Sequence, residues 1–225
     1  MGSEERMRPA RPRHAASLVL LRGTGVDRQV LMGRRPPKSS FIPDAFVFPG
    51  GRLDAADKRA GVAQALSEAT LLQLRARGGC TPDLARALSN SAIRETFEET
   101  GLMVAAPGDP GPHDAWSAFR AEGLAPDHGA LSFLGRAITP TVSPIRFHAR
   151  FFVADGARAT GQLRMNGELL DLDWYPLSDA MALPMIDVTQ FVLGLILSRQ
   201  EAGQDTQPFF RYRRNKPLST VRKHS

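Results

Sequence analysis

The sequence predicts a mixed α+β domain. Short apolar segments separated by turn residues are typical of strands. Between residues 58 and 100, long segments rich in Ala, Leu, Gln and Arg carry helix-capping residues at their ends. The segments follow one another as strands, helices, further strands and a final helix, and this order favours an α+β domain.

The predicted strands are the short apolar segments. Residues 14–22 include a run that is typical of a core strand, and residues 29–34 form the next segment after turn residues, so the two predict a hairpin. Residues 45–48 predict a short strand that ends at Pro49-Gly50-Gly51, where glycine allows a close backbone approach. Later strands are predicted at residues 131–138, 146–154 and 169–175.

Two long helices are predicted between these groups of strands. The first covers residues 58–77 and stops at Gly78-Gly79. The second covers residues 82–100, with Thr81 as N-cap, Pro82 at the first helical position and Gly101 as a left-handed C-cap. The segment Ser89-Asn90-Ser91 prefers caps to helix interiors, so a break there is the alternative to one continuous helix.

Three shorter helical segments complete the prediction. They cover residues 113–122, 178–182 and 188–199. Apolar residues almost surround the last of these, which indicates a helix packed in the core.

Length and composition place the chain among ordinary globular proteins. Its 225 residues, 42% hydrophobic and 23% charged, predict one domain with elaborations. A single cysteine, Cys80, excludes an internal disulfide framework and suits a reducing compartment. The first ten residues are polar and basic, and no apolar run is long enough to cross a bilayer, so we expect a cytoplasmic protein without membrane contact.

The net charge of +6 is concentrated at the two ends. We expect a disordered basic leader at residues 1–13, a folded domain at 14–204 and a basic C-terminal tail at 205–225. Basic tails can bind nucleic acid, and solvated termini are the alternative.

The most informative segment is a cluster of three glutamates on one predicted helix. Glu95, Glu98 and Glu99 stand at positions i, i+3 and i+4, where side chains are neighbours and like charges repel. Arg94 lies next to them and can pair with Glu98, four residues on. Mg²⁺ prefers such carboxylates together with water and substrate phosphates, so the cluster predicts a metal-dependent enzyme of phosphate chemistry. A solvated acidic helix face is the alternative.

With these residues in place, the chain resembles the Nudix hydrolases. That family's signature is G-x5-E-x7-R-E-U-x-E-E-x-G-U, where U is apolar. Gly51 matches the opening glycine and Asp57 falls at the first acidic position, while Thr96 replaces an apolar residue. The second half of the pattern is complete apart from Thr96: Arg94, Glu95, Glu98, Glu99, Gly101 and Leu102. Between Asp57 and Arg94 lie 36 residues, so about 29 are inserted; residues 58–90 predict a helical insertion that lengthens the catalytic helix at its N-terminus.

A signature divided by an insertion in this way is similar to that of the branch that contains the peroxisomal coenzyme A diphosphatases and their bacterial relatives. The likeness extends over residues 41–54, Thr139-Pro140, 146–152, Gly167-Glu168 and Trp174. His148 stands where this branch leads us to expect an acidic residue.

The resemblance implies an α/β/α sandwich with a mixed sheet that hydrolyses a nucleoside diphosphate linked to another moiety, with Mg²⁺ or Mn²⁺ as cofactor. Coenzyme A or an acyl-CoA is the first expected substrate; ADP-ribose, NADH and nucleotide sugars are alternatives, and so is a Nudix module that binds a nucleotide or RNA without cleaving it. Nudix proteins are often dimers, so a homodimer is a further expectation.

The resemblance also implies roles for individual residues. It makes Glu95, Glu98, Glu99 and Arg94 the catalytic residues, and it leaves open which glutamate is the base. The expected metal ligands are the same three glutamates, the backbone at Gly51 and, from outside the signature, Glu168. Substrate phosphates are expected near a basic loop: Arg34, Arg35 and Lys38. Asp57 is short and precedes a long insertion, so it need not reach the site.

Overall fold

A computed structural model of the protein describes residues 10–202, 209–213 and 216–220. Its thirteen strands, numbered in chain order, are β1 (Arg13–Arg22), β2 (Gln29–Arg34), β3 (Phe46–Val47), β4 (Gly50–Arg52), β5 (Leu102–Met103), β6 (Ala105–Pro107), β7 (Leu124–Pro126), β8 (Ser132–Ile138), β9 (Phe147–Asp155), β10 (Thr160–Gly161), β11 (Leu170–Pro176), β12 (Phe209–Arg213) and β13 (Lys216–Thr220). The α-helices are α1 (Ala55–Arg59), α2 (Glu68–Ala76), α3 (Pro82–Thr100), α4 (Ser117–Ala121), α5 (Leu177–Ala180) and α6 (Asp187–Ala202).

One large mixed sheet organises the domain. Its strands lie in the order β11-β2-β1-β9-β8-β12-β13, with β3 beside β2 and β4 beside β1. Strands β1 and β2 form the predicted antiparallel hairpin, whereas β1 and β9 are parallel. Parallel neighbours need a long crossover connection, and the helices between β1 and β9 supply it.

Side-chain alternation along β1 divides the core into two layers. Leu18 and Leu20 belong to a buried cluster that includes residues of α3, and Val19 and Leu21 belong to a second cluster that includes residues of α6. Successive strand residues point to opposite faces of a sheet, so an apolar strand such as β1 must be covered on both sides. The result is the α/β/α sandwich that the resemblance to the Nudix hydrolases implied.

Helix α3 confirms the predicted limits of the long helix. The Thr81 hydroxyl caps its first turn by accepting the Leu84 N–H at 3.2 Å, and Gly101 ends it with φ of 77°. The alternative of a break at residues 89–91 is wrong. The Ser89 hydroxyl donates to the Ala85 carbonyl within the helix, and the Asn90 amide donates to the Asp57 carbonyl, so these two side chains are satisfied without interrupting the helix. Among the described residues, the buried Ser91 Oγ has no hydrogen-bond partner.

The predicted helix at residues 58–77 is also wrong, because two helices replace it. Between α1 and α2 the Gly61 N–H donates to the Pro110 carbonyl and the Ala63 N–H to the Pro126 carbonyl. A Cβ at Gly61 would overlap the Asp109 carbonyl oxygen. The chain at Gly61 therefore packs directly against the loop at Asp109, and these contacts replace helical hydrogen bonds there. Ser67 then caps α2 by accepting the Thr70 N–H.

The expected C-terminal tail, residues 205–225, contains two strands of the large sheet. Phe209 and Phe210 of β12 pair in parallel with Arg136 and Ala137 of β8, and β13 pairs antiparallel with β12. Phe210 is buried in the α6 layer, and burial of this aromatic side chain holds β12 against the sheet. The predicted leader lies mostly outside the described residues. Within the described segments, no helix is long and apolar enough to cross a membrane.

Candidate active site

The second half of α3 lies beside a short strand that the sequence analysis did not predict. Residues 50–52 form β4, which pairs antiparallel with residues 15–17 of β1. Glu95 and Glu99 of α3 face the two glycines that begin β4, and this is where the structure brings the two halves of the split motif together.

Glu95 depends on the absence of a side chain at Gly51. A Cβ at Gly51 would overlap the Glu95 carboxylate. The conformation of Gly51 is not a left-handed one, so space rather than backbone strain explains the glycine. The structure therefore accounts for the first glycine of the motif by the room it leaves for a carboxylate.

Glu99 and Glu98 differ in their exposure to solvent. Glu99 is buried, with 8% of its surface exposed, and its Oε2 accepts the Gly50 N–H at 2.9 Å. The Glu98 side chain is 39% exposed. Glu99 is thus held by the fold, while Glu98 faces solvent at the edge of the cluster.

Arg94 connects the glutamates to Asp57. Its Nη1 donates to Glu98 Oε2 at 2.8 Å, and its Nη2 donates to Glu95 Oε1 at 2.9 Å. Its Nε and Nη2 also donate to the two carboxylate oxygens of Asp57, at 2.8 Å and 3.0 Å. A bidentate contact of this kind fixes the plane of the guanidinium group.

Asp57 therefore reaches the site, contrary to the doubt raised by its short side chain. It is fully buried at the start of the insertion, in the first turn of α1. Its carboxylate also accepts the Asp54 N–H at 2.7 Å, as half of a capping box. A short helix placed directly after β4 brings Asp57 to Arg94, so the insertion that follows does not remove it.

Two further buried residues, Asn90 in the insertion and His128 outside it, extend the hydrogen-bond network of Asp57. The Asn90 amide donates to the Asp57 carbonyl at 2.8 Å, and Asn90 Oδ1 lies 2.7 Å from His128 Nε2. Because Asn90 Oδ1 can only accept, Nε2 of a neutral His128 carries the proton. The sequence analysis missed both residues. The polar run at residues 89–91, taken there as a possible break, was the available signal for Asn90, and the sequence offered none for His128.

Burial and a neighbouring arginine lower the pKa of His128 to about 4. The unfolded chain has an ordinary histidine pKa near 6.5, so it takes up a proton below that pH while the folded protein does not. Stability linked to His128 is therefore complete above pH 6.5 and is lost as the pH falls towards 4. Between pH 7 and pH 5 we expect His128 to account for a loss of about 2 kcal/mol in the free energy of unfolding.

Denaturant unfolding of wild type and His128→Gln at the two pH values measures this contribution. Glutamine keeps an N–H donor for Asn90 but does not titrate, so the variant should lose less stability on acidification. An equal loss in the free energy of unfolding in the two proteins would show that His128 is not the source of this pH dependence.

The surroundings of the glutamate cluster disfavour the charged form of each glutamate. Burial raises the pKa of Glu99 to about 8 and that of Glu95 to about 7, and it also raises the pKa of Glu98. Repulsion between the glutamates adds to these shifts, and Arg94 opposes them at Glu95 and Glu98. Three acidic side chains, Asp57, Glu95 and Glu98, share this single arginine, and Glu99 lies beside them. The cluster therefore has the oxygen donors that suit a hard divalent cation.

The side chains do not converge on one point as they stand. In the part of the chain that the structure describes, no three His, Cys, Asp or Glu side chains form a ready metal site. Glu95 and Glu98 bond to Arg94 and Glu99 to the Gly50 N–H, so each carboxylate has a protein partner. The chemistry of the donors fits a divalent cation.

Glu168 lies close enough to influence the cluster. Asn166 donates to the Glu98 carbonyl at 2.7 Å and accepts the Glu168 N–H at 2.9 Å, so the end of α3 holds this loop. The charge of Glu168 contributes to the raised pKa of both Glu98 and Glu99. Its role as a metal ligand remains a prediction.

The basic loop divides into residues near to and away from the glutamates. Arg34 pairs with Asp171 at 2.6 Å and with Asp44 at 2.9 Å, so its charge is already matched. The charge of Arg35 partly offsets the rise in the pKa of Glu99, so Arg35 lies within electrostatic range of the cluster. Lys38 is exposed. Substrate binding by these residues remains a prediction, and the structure favours Arg35 over Arg34.

Gly51→Ala should remove activity without unfolding the protein. The new methyl group would displace the end of a flexible side chain, Glu95, rather than backbone. A small misplacement at a reacting centre lowers a rate by about 100-fold, and we expect a loss of this size in kcat. Steady-state kinetics and circular dichroism measure the two effects, with Gly194→Ala as the control because a Cβ there meets nothing within 4 Å. Full activity of Gly51→Ala would show that Glu95 does not need its observed position.

Comparison with known proteins supports the resemblance to the Nudix hydrolases. No family model matches the chain. It is 33% identical over 125 residues to acyl-coenzyme A diphosphatase NUDT19 of Gallus gallus, a match that covers 43% of this chain and 33% of the relative. The protein of the same name from Xenopus laevis is 33% identical over 100 residues, with 36% and 26% covered. The chain thus spans about a third of the length of these curated relatives or less.

Solved structures extend the comparison to nearly the whole chain. A MutT protein from Bacillus halodurans has a TM-score of 0.51 at 14% identity, with 93% of this chain and 97% of that one covered, and shows the shared fold alone. A NUDIX hydrolase from Alicyclobacillus acidocaldarius has a TM-score of 0.66 at 32% identity, with 86% of this chain and 94% of that one covered. With that identity over that coverage, and with the two halves of the motif joined in space, the chain belongs to the Nudix hydrolase family.

Proposed function

We propose that the protein is a pyrophosphohydrolase dependent on Mg²⁺ or Mn²⁺, which cleaves the diphosphate of a nucleoside diphosphate linked to another moiety. The observation that carries this proposal is the acidic cluster on α3, where Glu95 and Glu99 face Gly51 and Gly50. Glu95 and Glu98 share one arginine, Arg94, with Asp57. A binding module has no need to hold like charges together at this cost.

Coenzyme A or an acyl-CoA is the proposed substrate class. The curated relatives named acyl-coenzyme A diphosphatase support it, although they match less than half of this chain. The divided motif, with its insertion between Asp57 and Arg94, supports it as well. ADP-ribose, NADH and nucleotide sugars belong to the same chemical class and are the substrates to test beside it.

The cation would be held by Glu95, Glu98, Glu99 and Glu168, with the backbone at Gly51 as a further oxygen donor. When bound, it would neutralise phosphate oxygens and make a water molecule more acidic. The protein supplies the rest: a glutamate takes the proton of the attacking water, and Arg94, held by Asp57, orients Glu95 and Glu98. Arg35, whose charge acts on Glu99, would attract substrate phosphates towards it.

A substrate screen tests the proposal. The protein is incubated with each compound and Mg²⁺ or Mn²⁺, and the products are separated. Release of 3′,5′-ADP identifies coenzyme A species, release of AMP identifies ADP-ribose or NADH, and release of the corresponding nucleoside monophosphate identifies a nucleotide sugar. Turnover that stops with a chelator is the expected result. Absence of turnover on every coenzyme A species would overturn the substrate class, and absence on all compounds would favour a binding module.

A further inference from the structure

A second group of polar side chains lies away from the glutamates, along β1, β8 and β9. It consists of Arg136, Arg150, His14 and His148, and we call it the cationic cluster. Arg136 and Arg150 are directly opposite each other in the antiparallel ladder of β8 and β9. Like charges at opposite positions destabilise a sheet, so this pairing needs a compensating interaction.

The hydrogen-bond partners of Arg150 carry no charge. This side chain is completely buried, and its Nε and Nη2 both donate to the Gly78 carbonyl, at 3.1 Å and 2.8 Å. Its Nη1 donates to His14 Nδ1 at 3.0 Å and to the His148 carbonyl at 2.8 Å. Because His14 Nδ1 accepts this bond, His14 is neutral here.

Arg136 is less completely satisfied than Arg150. Its Nη1 lies 3.3 Å from His148 Nε2, and its guanidinium group lies over the Phe209 ring at 4.0 Å. Its Nε is buried without a hydrogen-bond partner. A buried donor without a protein acceptor costs free energy.

No carboxylate balances the cluster among the described residues. The ion pairs there include neither Arg136 nor Arg150. Burial and then Arg150 and Arg136 lower the pKa of His148 to about 3, and Lys58 and Arg211 add further positive charge near His14 and Arg136. Buried charges in proteins are ordinarily paired, because an isolated one is costly to remove from water.

We infer that the cationic cluster is a binding site for a small oxyanion of the phosphate class. Guanidinium groups present donors in a fork that matches phosphate oxygens, and the unpaired Nε of Arg136 supplies a donor already removed from water. Arg136, His14 and His148 are each partly exposed, so an anion can approach them from solvent, while the buried Arg150 adds its charge from behind.

The site is separate from the glutamate cluster. Ala16 of β1 pairs with both Gly51 and Arg150, so Arg150 stands two strands away from Gly51, a backbone separation of roughly 10 Å. Ala16 itself is completely buried between them. The inference therefore does not depend on the proposed hydrolysis, and either can fail without the other.

Titration with inorganic phosphate tests the inference. The full-length protein is kept in a chelator, so that phosphate cannot bind through a cation at the glutamates, and ionic strength is held constant with chloride. Calorimetry should show saturable binding, and the melting temperature should rise with phosphate. Arg136→Gln should weaken binding at least tenfold. Arg75→Gln, which removes an exposed arginine of α2, should leave it unchanged.

His148→Asp provides a second and independent variant. It places a carboxylate beside Arg136, so we expect a higher melting temperature without phosphate and no further rise when phosphate is added. Phosphate effects no larger than those of chloride in the wild type, or wild-type affinity in both Arg136→Gln and His148→Asp, would overturn the inference. Comparison with adenosine 5′-monophosphate separates the sources: equal affinities identify the free anion, and tighter binding of the nucleotide identifies a nucleotide-borne phosphate.

Discussion

Glu99→Gln is expected to lower kcat by about 100-fold to 10,000-fold while the protein remains folded. The substitution keeps the size of the side chain and an oxygen that can accept the Gly50 N–H. It removes the negative charge that would hold a cation or take a proton from water, and loss of a positioned general base has effects of this size. Without metal, the raised pKa of Glu99, about 8, keeps this buried carboxyl largely protonated at pH 7, so a neutral amide in its place should not decrease the free energy of unfolding.

Steady-state kinetics with the best substrate of the screen, together with equilibrium binding of that substrate, measure the outcome. Glu122→Gln is the matched control, because Glu122 is exposed and lies outside the site. Binding should persist in Glu99→Gln. Unchanged turnover would exclude Glu99 as base and essential ligand, and parallel measurements on Glu95→Gln and Glu98→Gln would then rank the remaining carboxylates.

Asp57→Ala is expected to lower the free energy of unfolding by about 3 kcal/mol, the cost of breaking a buried ion pair by removing one partner. Asp57 is fully buried, binds two nitrogens of Arg94 and accepts the Asp54 N–H. Without it, Arg94 keeps only Glu95, Glu98 and the Arg52 carbonyl as partners, so its orientation should loosen. Activity should therefore fall together with stability.

Urea unfolding of the wild type and two variants measures this effect. Asp83→Ala removes an exposed acidic residue from the first turn of α3 and controls for the change in net charge. Asp57→Asn keeps an acceptor for Arg94 and should lose less stability than Asp57→Ala. A stability of Asp57→Ala within about 0.5 kcal/mol of that of Asp83→Ala, the range of an ordinary surface substitution, would contradict the role of the pair.

The insertion offers a physical explanation for a motif that survives being divided. Its two ends, Asp57 and Arg94, are joined by direct hydrogen bonds, and Asn90 binds the Asp57 carbonyl from within α3. Residues 58–81 can therefore leave the site and return without separating the two halves. Loop length adds little to the entropy cost of closure once the ends are held, so a long insertion at this point is tolerated.

Local sequence determined the elements whose signals lie within a few residues of each other. Thr81, Pro82 and Gly101 predicted both ends of α3, because capping acts over one turn. The spacing of Glu95, Glu98 and Glu99 predicted one acidic helix face for the same reason. Strands β1 and β2 were predicted by their apolar runs and the turn between them.

Tertiary structure alone decided the contacts between residues distant in sequence. The contact of Asp57 with Arg94, the room that Gly51 leaves for Glu95 and the pairing of β12 with β8 all depend on chain segments that meet only in the folded protein. The same applies to the cationic cluster, since Arg136 and Arg150 become neighbours through strand register. The sequence thus determined which chemical groups the protein has and on which helix the glutamates lie. Packing and register decided which of those groups touch, because such contacts join residues that no local pattern relates.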